Sequence, residues 1–273
     1  MTLGYLKAAV SGLALFITSN AAAQENLALA PSRSGAPATT AADAREVPFG
    51  VGEKSTFEVR FGGLRVGSGS LAVVARETLR GREAWHTTFN VQGGVPFYRV
   101  DDVYESWIDA VTMNSLAFKR QIEEGTRERA QHYEIMPDKG TYIERTRQKT
   151  TVKKTVDDPL DEGAFLYFIR TIPLEVGKTY DFHRYFIPDR NPVRIRVLRK
   201  ERITVPAGTY DAIVIQPVIK TRGIFSEKGQ AEVWLTDDSA RILLQVKSKL
   251  SFGSLNLYLK SYTPPTNQIT IRN

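Results

Sequence analysis

Between Gln230 and Leu259 the side chains switch character at almost every step, and they do so on both sides of a short polar turn. Ala231, Val233 and Leu235 fall on one side, and Glu232, Trp234 and Thr236 on the other. After Thr236-Asp237-Asp238-Ser239, Ile242, Leu244, Val246, Leu250 and Phe252 share one face. Leu243, Gln245, Lys247, Lys249 and Ser251 share the opposite face. A period of two belongs to a strand with one dry and one wet side; a helix would need 3.6. Two such strands around a polar turn form an antiparallel hairpin. Leu255, Leu257 and Leu259 resume the pattern after Gly253-Ser254. The stretch is therefore predicted to lie at the centre of a large antiparallel sheet.

The same pattern recurs upstream. Pro48-Phe49-Gly50-Val51-Gly52 reads as an opening turn, and Phe57, Val59 and Phe61 share one side of the next strand. Gly62-Gly63 permits a tight reversal at positive φ. Leu64 to Gly69 is glycine-rich, but it lacks the lysine of a phosphate loop and no helical pattern follows. It is expected to bend or bulge a strand. Strands are expected at 70–77, 83–92, 98–108, 116–123, 129–135, 141–149, 151–156, 178–186, 192–204 and 209–219. In 98–108, Tyr98, Val100, Asp102, Tyr104 and Ser106 share one face, opposite Arg99, Asp101, Val103, Glu105 and Trp107. Pro137-Asp138-Lys139-Gly140 and Val205-Pro206-Ala207-Gly208 are turns. Roughly twelve to fourteen strands result, without a repeat of fixed length that would indicate a solenoid or propeller.

One segment departs from this rhythm. Asp158 is the expected helix N-cap, with Pro159 at the first helical position and Asp161 and Glu162 in the first turn. Leu160, Ala164, Phe165, Tyr167 and Phe168 then make a broad apolar face, Arg170 lies near the C-terminus, and Ile172-Pro173 ends the helix. A helix this short is marginal alone and must bury its face on the sheet. The expected fold is all-β and mainly antiparallel: a curved sheet or open half-barrel with one short helix packed on the concave face.

Residues 1–23 read as a signal peptide. Lys7 precedes an apolar run from Ala8 to Ile17, too short to span a bilayer, and Ala21-Ala22-Ala23 supplies small residues for cleavage. Residues 24–46 are rich in Ala, Pro, Ser and Thr and read as a flexible linker. A single β domain is expected over 47–262 and a C-terminal tail over 263–273. The absence of cysteine excludes a disulfide framework and thiol catalysis. A net charge of +7 favours anionic partners. Export to the periplasm or beyond would exclude nucleic acid and leave an anionic envelope component. Once the signal is removed, no membrane-spanning helix is expected. Charges on both faces of some strands, such as Arg199 and Lys200, disfavour an outer-membrane barrel.

Several segments in order resemble a known family. They are Pro48-Phe49-Gly50-Val51-Gly52-Glu53, Phe57 to Gly62 with Val66-Gly67, Tyr104-Glu105-Ser106-Trp107-Ile108-Asp109, and Leu160 to Arg170 followed by Leu174-Glu175-Val176-Gly177. Val205 to Ala212 and Glu232 to Asp238 complete the set. Together they resemble the bacterial family catalogued as domain of unknown function 3108, over nearly all of residues 47–262. The resemblance implies an exported envelope protein without an established activity. It also suggests kinship with open-barrel lipoprotein carriers of the periplasm, in which a curved sheet wraps a helix. It supplies no catalytic residues.

The residues themselves suggest four kinds of site. His86, His132 and His183 lie in separate strands without metal-ligand spacing, so neither a metal nor a cofactor is expected. Asp102 or Glu105 beside a sugar-stacking Trp107 would be the pairing for an envelope hydrolase acting on glycan or ester. Arg194, Arg196, Lys200, Lys247 and Lys249 form basic strips that could meet an anionic partner. Phe165, Tyr167 and Phe168 could meet Trp107 and Trp234 around an apolar pocket under the helix. That last arrangement points to a non-enzymatic protein that binds a lipid-like or other apolar ligand.

Overall fold

The computed structural model describes residues 46–95, 98–220, 231–250 and 253–266. The expected signal peptide, and the expected linker up to residue 45, lie outside them. Among the described residues the alternating segments become fourteen strands: β1 (Lys54–Phe61), β2 (Leu64–Leu79), β3 (Arg82–Val95), β4 (Tyr98–Asp109), β5 (Ser115–Glu124), β6 (Arg127–Met136), β7 (Thr141–Thr146), β8 (Thr150–Lys154), β9 (Thr179–Phe182), β10 (Val193–Val205), β11 (Gly208–Val218), β12 (Glu232–Thr236), β13 (Leu243–Leu250) and β14 (Gly253–Thr263). The helix α1 spans Glu162–Phe168, and a 3₁₀ turn continues it over Ile169–Thr171.

All strands join one antiparallel sheet in the order β8-β7-β6-β5-β4-β3-β2-β1-β14-β13-β12-β11-β10-β9. Two meanders meet along the β1–β14 pair, where Phe57 faces Leu259 and Val59 faces Leu257. The sheet does not close into a barrel: β8 and β9 are its edges. The chain leaves one edge and returns at the other through residues 155–178, so this connection has to cross a face of the sheet. It carries α1 across it.

The sheet curls around that helix. Glu162 of α1 reaches Arg120 on β5, while Phe165 borders a cleft with Ile215 on β11. In a flat sheet β5 and β11 would stand about 38 Å apart at ~4.8 Å per strand. A helix only ~10 Å across could not serve both. Register shifts between neighbouring strands supply local bends, including the one where Val66 has no partner opposite Val59-Arg60. The predicted glycine-rich bend lies here. Gly67 faces Gly93 across β2–β3, and a Cβ on either would overlap the opposing backbone. The close approach itself demands glycine at both positions.

The inner face carries the core: Phe57 on β1, Leu71 on β2, Phe89 on β3, Tyr104 on β4, Phe118 on β5 and Ile135 on β6 are all buried. The expectation of one wet face fails in β11–β13. Ala212–Ile215, Val233–Thr236 and Leu243–Val246 are buried on both sides. On the outer side Trp234 is covered by Arg199 and Lys247, whose charged heads lie 5.7 and 5.3 Å from its ring centre. Long basic side chains can shield apolar surface while keeping their charge in water.

The helix begins three residues later than its sequence suggests. Asp161, not Asp158, is the N-cap, and it accepts from the N–H groups of Gly163 and Ala164 at 2.8 and 2.9 Å. Pro159-Leu160 stays extended, because Leu160 makes a parallel bridge to Tyr185. Asp158 instead accepts from Asn114 in the β4–β5 turn. Both aspartates satisfy the capping rule locally. Ser106 and Ser115 of the neighbouring strands bind Asp161 and decide between them.

Candidate functional site

The C-terminal half of the α1 segment stands over an open, apolar space. Phe165, Leu166 and Ile169 line one wall, and Leu71, Ile215, Val233, Leu235 and Leu243 line the sheet side. The cleft has an empty volume of about 640 Å³ counted out to its mouth.

The charges at this cleft are paired. Arg170 binds both carboxylate oxygens of Glu53, and both side chains are about 95% buried. Arg170 also donates to the Pro48 carbonyl at 2.8 Å and the Ala240 carbonyl at 3.0 Å, and it lies over the rings of Phe49 and Tyr167. The pair clamps the end of the helical segment to the start of β1 and to the β12–β13 turn. Burial pushes the Tyr167 phenol well above its ordinary range.

The other end of α1 enters a polar, filled space. Ser106 donates to Asp161 Oδ1 at 2.6 Å, and Ser115 Oγ accepts from the Asp161 N–H at 2.8 Å. Glu162 Oε1 accepts from Tyr185 at 2.6 Å and lies 3.6 Å from Arg120. Arg120 in turn donates to Gln131 at 2.7 Å and to Tyr133 at 3.3 Å, and Gln131 and Tyr133 converge on Glu144. Arg190 donates to the Tyr185 hydroxyl at 3.0 Å. Asp161 Oδ2 and Glu162 Oε2 have no hydrogen-bond partner among the described residues. Burial pushes Asp161 up to about 7, against the hydrogen bonds from Ser106 and Ala164. Burial would also raise Glu144, but Lys153, Gln131 and Tyr133 together hold it below its ordinary value.

The structure divides the predicted aromatic group. Phe165 borders the cleft. Phe168 packs edge-on to Phe182 at 5.2 Å, and Tyr167 packs on Phe49 at 4.8 Å. Trp107 and Trp234 do not join them. Ser106 contacts the helix, so Trp107 beside it points outward; Val233 and Leu235 line the cleft, so Trp234 between them also points outward. Trp107 stacks on His86 at 4.3 Å, with the Lys119 ammonium 4.7 Å from its ring centre. Strands β3 and β5 thus bring groups against it from both sides, which leaves no free face for a sugar.

The hydrolase pairing is separated in the same way. Asp102 is buried on the inner face and accepts from the Glu123 N–H at 3.2 Å. Glu105 lies on the outer face beside His86 Nε2 at 3.1 Å. The sheet stands between the two carboxylates, and Asp102 does not share a face with Trp107. His132 lies on β6 between Lys119 and Arg145, His183 is exposed beyond β9, and no metal-binding group of three ligands forms among the described residues.

Two of the five predicted basic residues are paired with acids. Arg194 binds both oxygens of Asp181, Lys200 pairs with Asp237 at 2.8 Å, and Arg196 donates to Gln216. Lys247 lies on Trp234, and Lys249 faces Ser254 in the β13–β14 ladder. Sequence reasoning missed Glu53 and Arg120 as partners of the helix. The Arg170 to Glu53 distance of 117 residues left no local signal.

Residues 56–260 match the family model described as "Protein of unknown function (DUF3108)". No curated protein matches the sequence. Among solved structures, the chain is similar to a beta-barrel-like protein of domain of unknown function DUF1849 from Brucella abortus. The identity is 9%, over 80% of this chain and 99% of that one, with a TM-score of 0.51. That likeness concerns the fold alone. A candidate lipoprotein from Parabacteroides distasonis shows 12% identity over 80% of this chain and 98% of that one, with a TM-score of 0.38. A candidate exported protein with YmcC-like fold from Bacteroides fragilis shows 11% identity over 81% and 99%, with a TM-score of 0.31. No helix among the described residues is long and apolar enough to cross a membrane.

Proposed function

The chain belongs to the DUF3108 family, and from its geometry we propose an exported, non-catalytic binding protein that takes a single acyl chain beneath α1. The observation that carries this reading is the cleft between Phe165, Leu166 and Ile169 and strands β11–β13. Its walls are largely apolar, and its charged residues are paired, Glu53 with Arg170 and Glu162 with Arg120. Apolar space of this kind gains free energy when hydrocarbon replaces water, at roughly 25 cal/mol per Å². Export rests on the N-terminal segment, whose apolar run and small residues fit a cleavable signal.

The test is native mass spectrometry of protein purified from its own envelope, followed by extraction of the bound material. A lipid of defined mass is expected on the wild type. Ile215→Trp should fill the slot and remove the lipid while the fold is retained, and Phe165→Asp should lower both stability and lipid content. Wild-type protein that arrives empty, and stays empty after incubation with fatty acid and phospholipid, would end the proposal.

A further inference from the structure

Antiparallel connectivity places alternate turns on opposite rims of the sheet, and the two rims differ. The β2–β3, β4–β5 and β6–β7 turns share one rim. Two of its arginines are engaged internally: Arg80 donates to the carbonyls of Leu116 and Ile135, and Arg82 binds Asp109 and Asp138. The opposite rim carries the β1–β2, β5–β6 and β7–β8 turns. There Leu64 is 75% exposed, more than any other large apolar side chain among the described residues. It follows Gly62-Gly63, both at positive φ, where an added Cβ would meet nothing within 4 Å among the described residues.

Cations lie along the same rim. Arg65 is the next residue, and Arg127 and Arg129 open β6 two hairpins further along. None of the three forms an ion pair among the described residues, whereas Arg60, Arg99 and Arg147 hold Glu58, Asp101 and Glu128. Glu123 and Glu124 offset part of the charge, but over residues 58–66, 99–101, 123–129 and 146–150 seven cations stand against five acids.

We propose that this rim is a docking surface for an anionic lipid bilayer, with Leu64 entering the interface and Arg65, Arg127 and Arg129 facing the headgroups. An apolar tip near arginines that form no ion pair among the described residues matches the two layers of such a surface, hydrocarbon below and phosphate above. An acidic polysaccharide would satisfy the arginines but leave Leu64 in water. The proposal does not depend on the cleft or its occupant.

The test is co-flotation of the full chain with phosphatidylcholine vesicles, with and without added phosphatidylglycerol. Every variant keeps the same N-terminal segment, so differences report on the rim. Binding should require phosphatidylglycerol and weaken with salt. Each of Arg65→Gln, Arg127→Gln and Arg129→Gln should lower the partition coefficient about fivefold, and Leu64→Ser about tenfold. Lys139→Gln on the opposite rim should change nothing, and all variants should keep the wild-type melting curve. Rim variants that bind as the wild type does would overturn the proposal. Binding to dextran sulfate that survives Leu64→Ser, with no binding to vesicles, would overturn it in favour of a polysaccharide.

Discussion

The ends and the middle of the α1 segment meet opposite environments. The N-terminal end is held by directional bonds: Asp161 to Ser106 and Ser115, and Glu162 to Tyr185 and Arg120. The middle, at Phe165, Leu166 and Ile169, faces apolar walls across space that is partly empty. Hydrogen bonds fix position and orientation, whereas apolar contact has no preferred direction. The helical segment can therefore be anchored at its ends, through Asp161 and Glu162 and through Arg170, and still stand off the sheet between them. Neither flank alone would do this. With apolar contacts throughout, the helix would settle onto the sheet and fill the cleft; with polar ones throughout, no room for hydrocarbon would remain.

This contrast ranks the effects of substitution. The largest loss is expected at the polar flank, where removing one partner strands another in a buried site. Arg120→Ala, which leaves Glu162 without its cation, should cost about 3–5 kcal/mol. Arg170→Ala, which strands Glu53, should cost a similar amount. Urea denaturation measures both, and losses under about 1 kcal/mol would show that these charges are better solvated than their burial implies. On the apolar flank Ile215→Ala should cost about 2 kcal/mol, near the low end for a buried aliphatic. The wall already borders empty space, so fewer contacts are lost than in a filled core. If Ile215→Ala proved costlier than Arg120→Ala, the contrast between the flanks would be reversed. On the outer face Trp234→Phe should cost about 1 kcal/mol, because it removes the 2.6 Å bond from Nε1 to Glu201 but keeps most of the packing under Arg199 and Lys247.

The sheet was legible because a two-residue period survives in every long strand. The site was less so, for identifiable reasons. Periodicity separates the two faces of β4 but does not say which one turns inward. The face with Trp107 also carries Arg99, Asp101 and Glu105, and it is the opposite face, with Asp102, Tyr104 and Ser106, that meets the polar N-terminus of the helix. The placement of Trp107 and Trp234 failed on this point. In β12 and β13 the outer face was judged wet from Glu232, Gln245 and Lys247, although basic side chains from β10 and β13 cover Trp234 there. The three-residue error at the helix start has a similar origin. Asp158 and Asp161 are equivalent as local caps, and the serines that separate them lie 46 and 55 residues away. Contacts of that range leave no trace in a local pattern.

Asp161 offers the finest test of the anchored end. Three donors, from Ser106, Gly163 and Ala164, converge on Oδ1, and Oδ2 is the oxygen left for a proton. Burial raises this carboxyl to about 7, above the 3.8 of an exposed aspartate. Between those values the folded chain holds a proton that the unfolded chain releases. Its contribution to stability is therefore full below about pH 4 and is lost as pH rises toward 7, by up to ~1.4 kcal/mol per pH unit. Carboxylates held low by cations, such as Asp109 beside Arg82, titrate with the opposite sign and would mask the slope in the wild type alone. Asp161→Asn keeps an acceptor at the Oδ1 position and resembles the protonated carboxyl, so its cost in acid should stay within ~1 kcal/mol. Subtracting its stability profile from that of the wild type cancels the other carboxylates. The difference should be small in acid and swing steadily toward the variant as pH rises to 7. A flat difference would mean that Asp161 stays ionised in the fold, and that water reaches the helix terminus from the side the sheet is taken to seal.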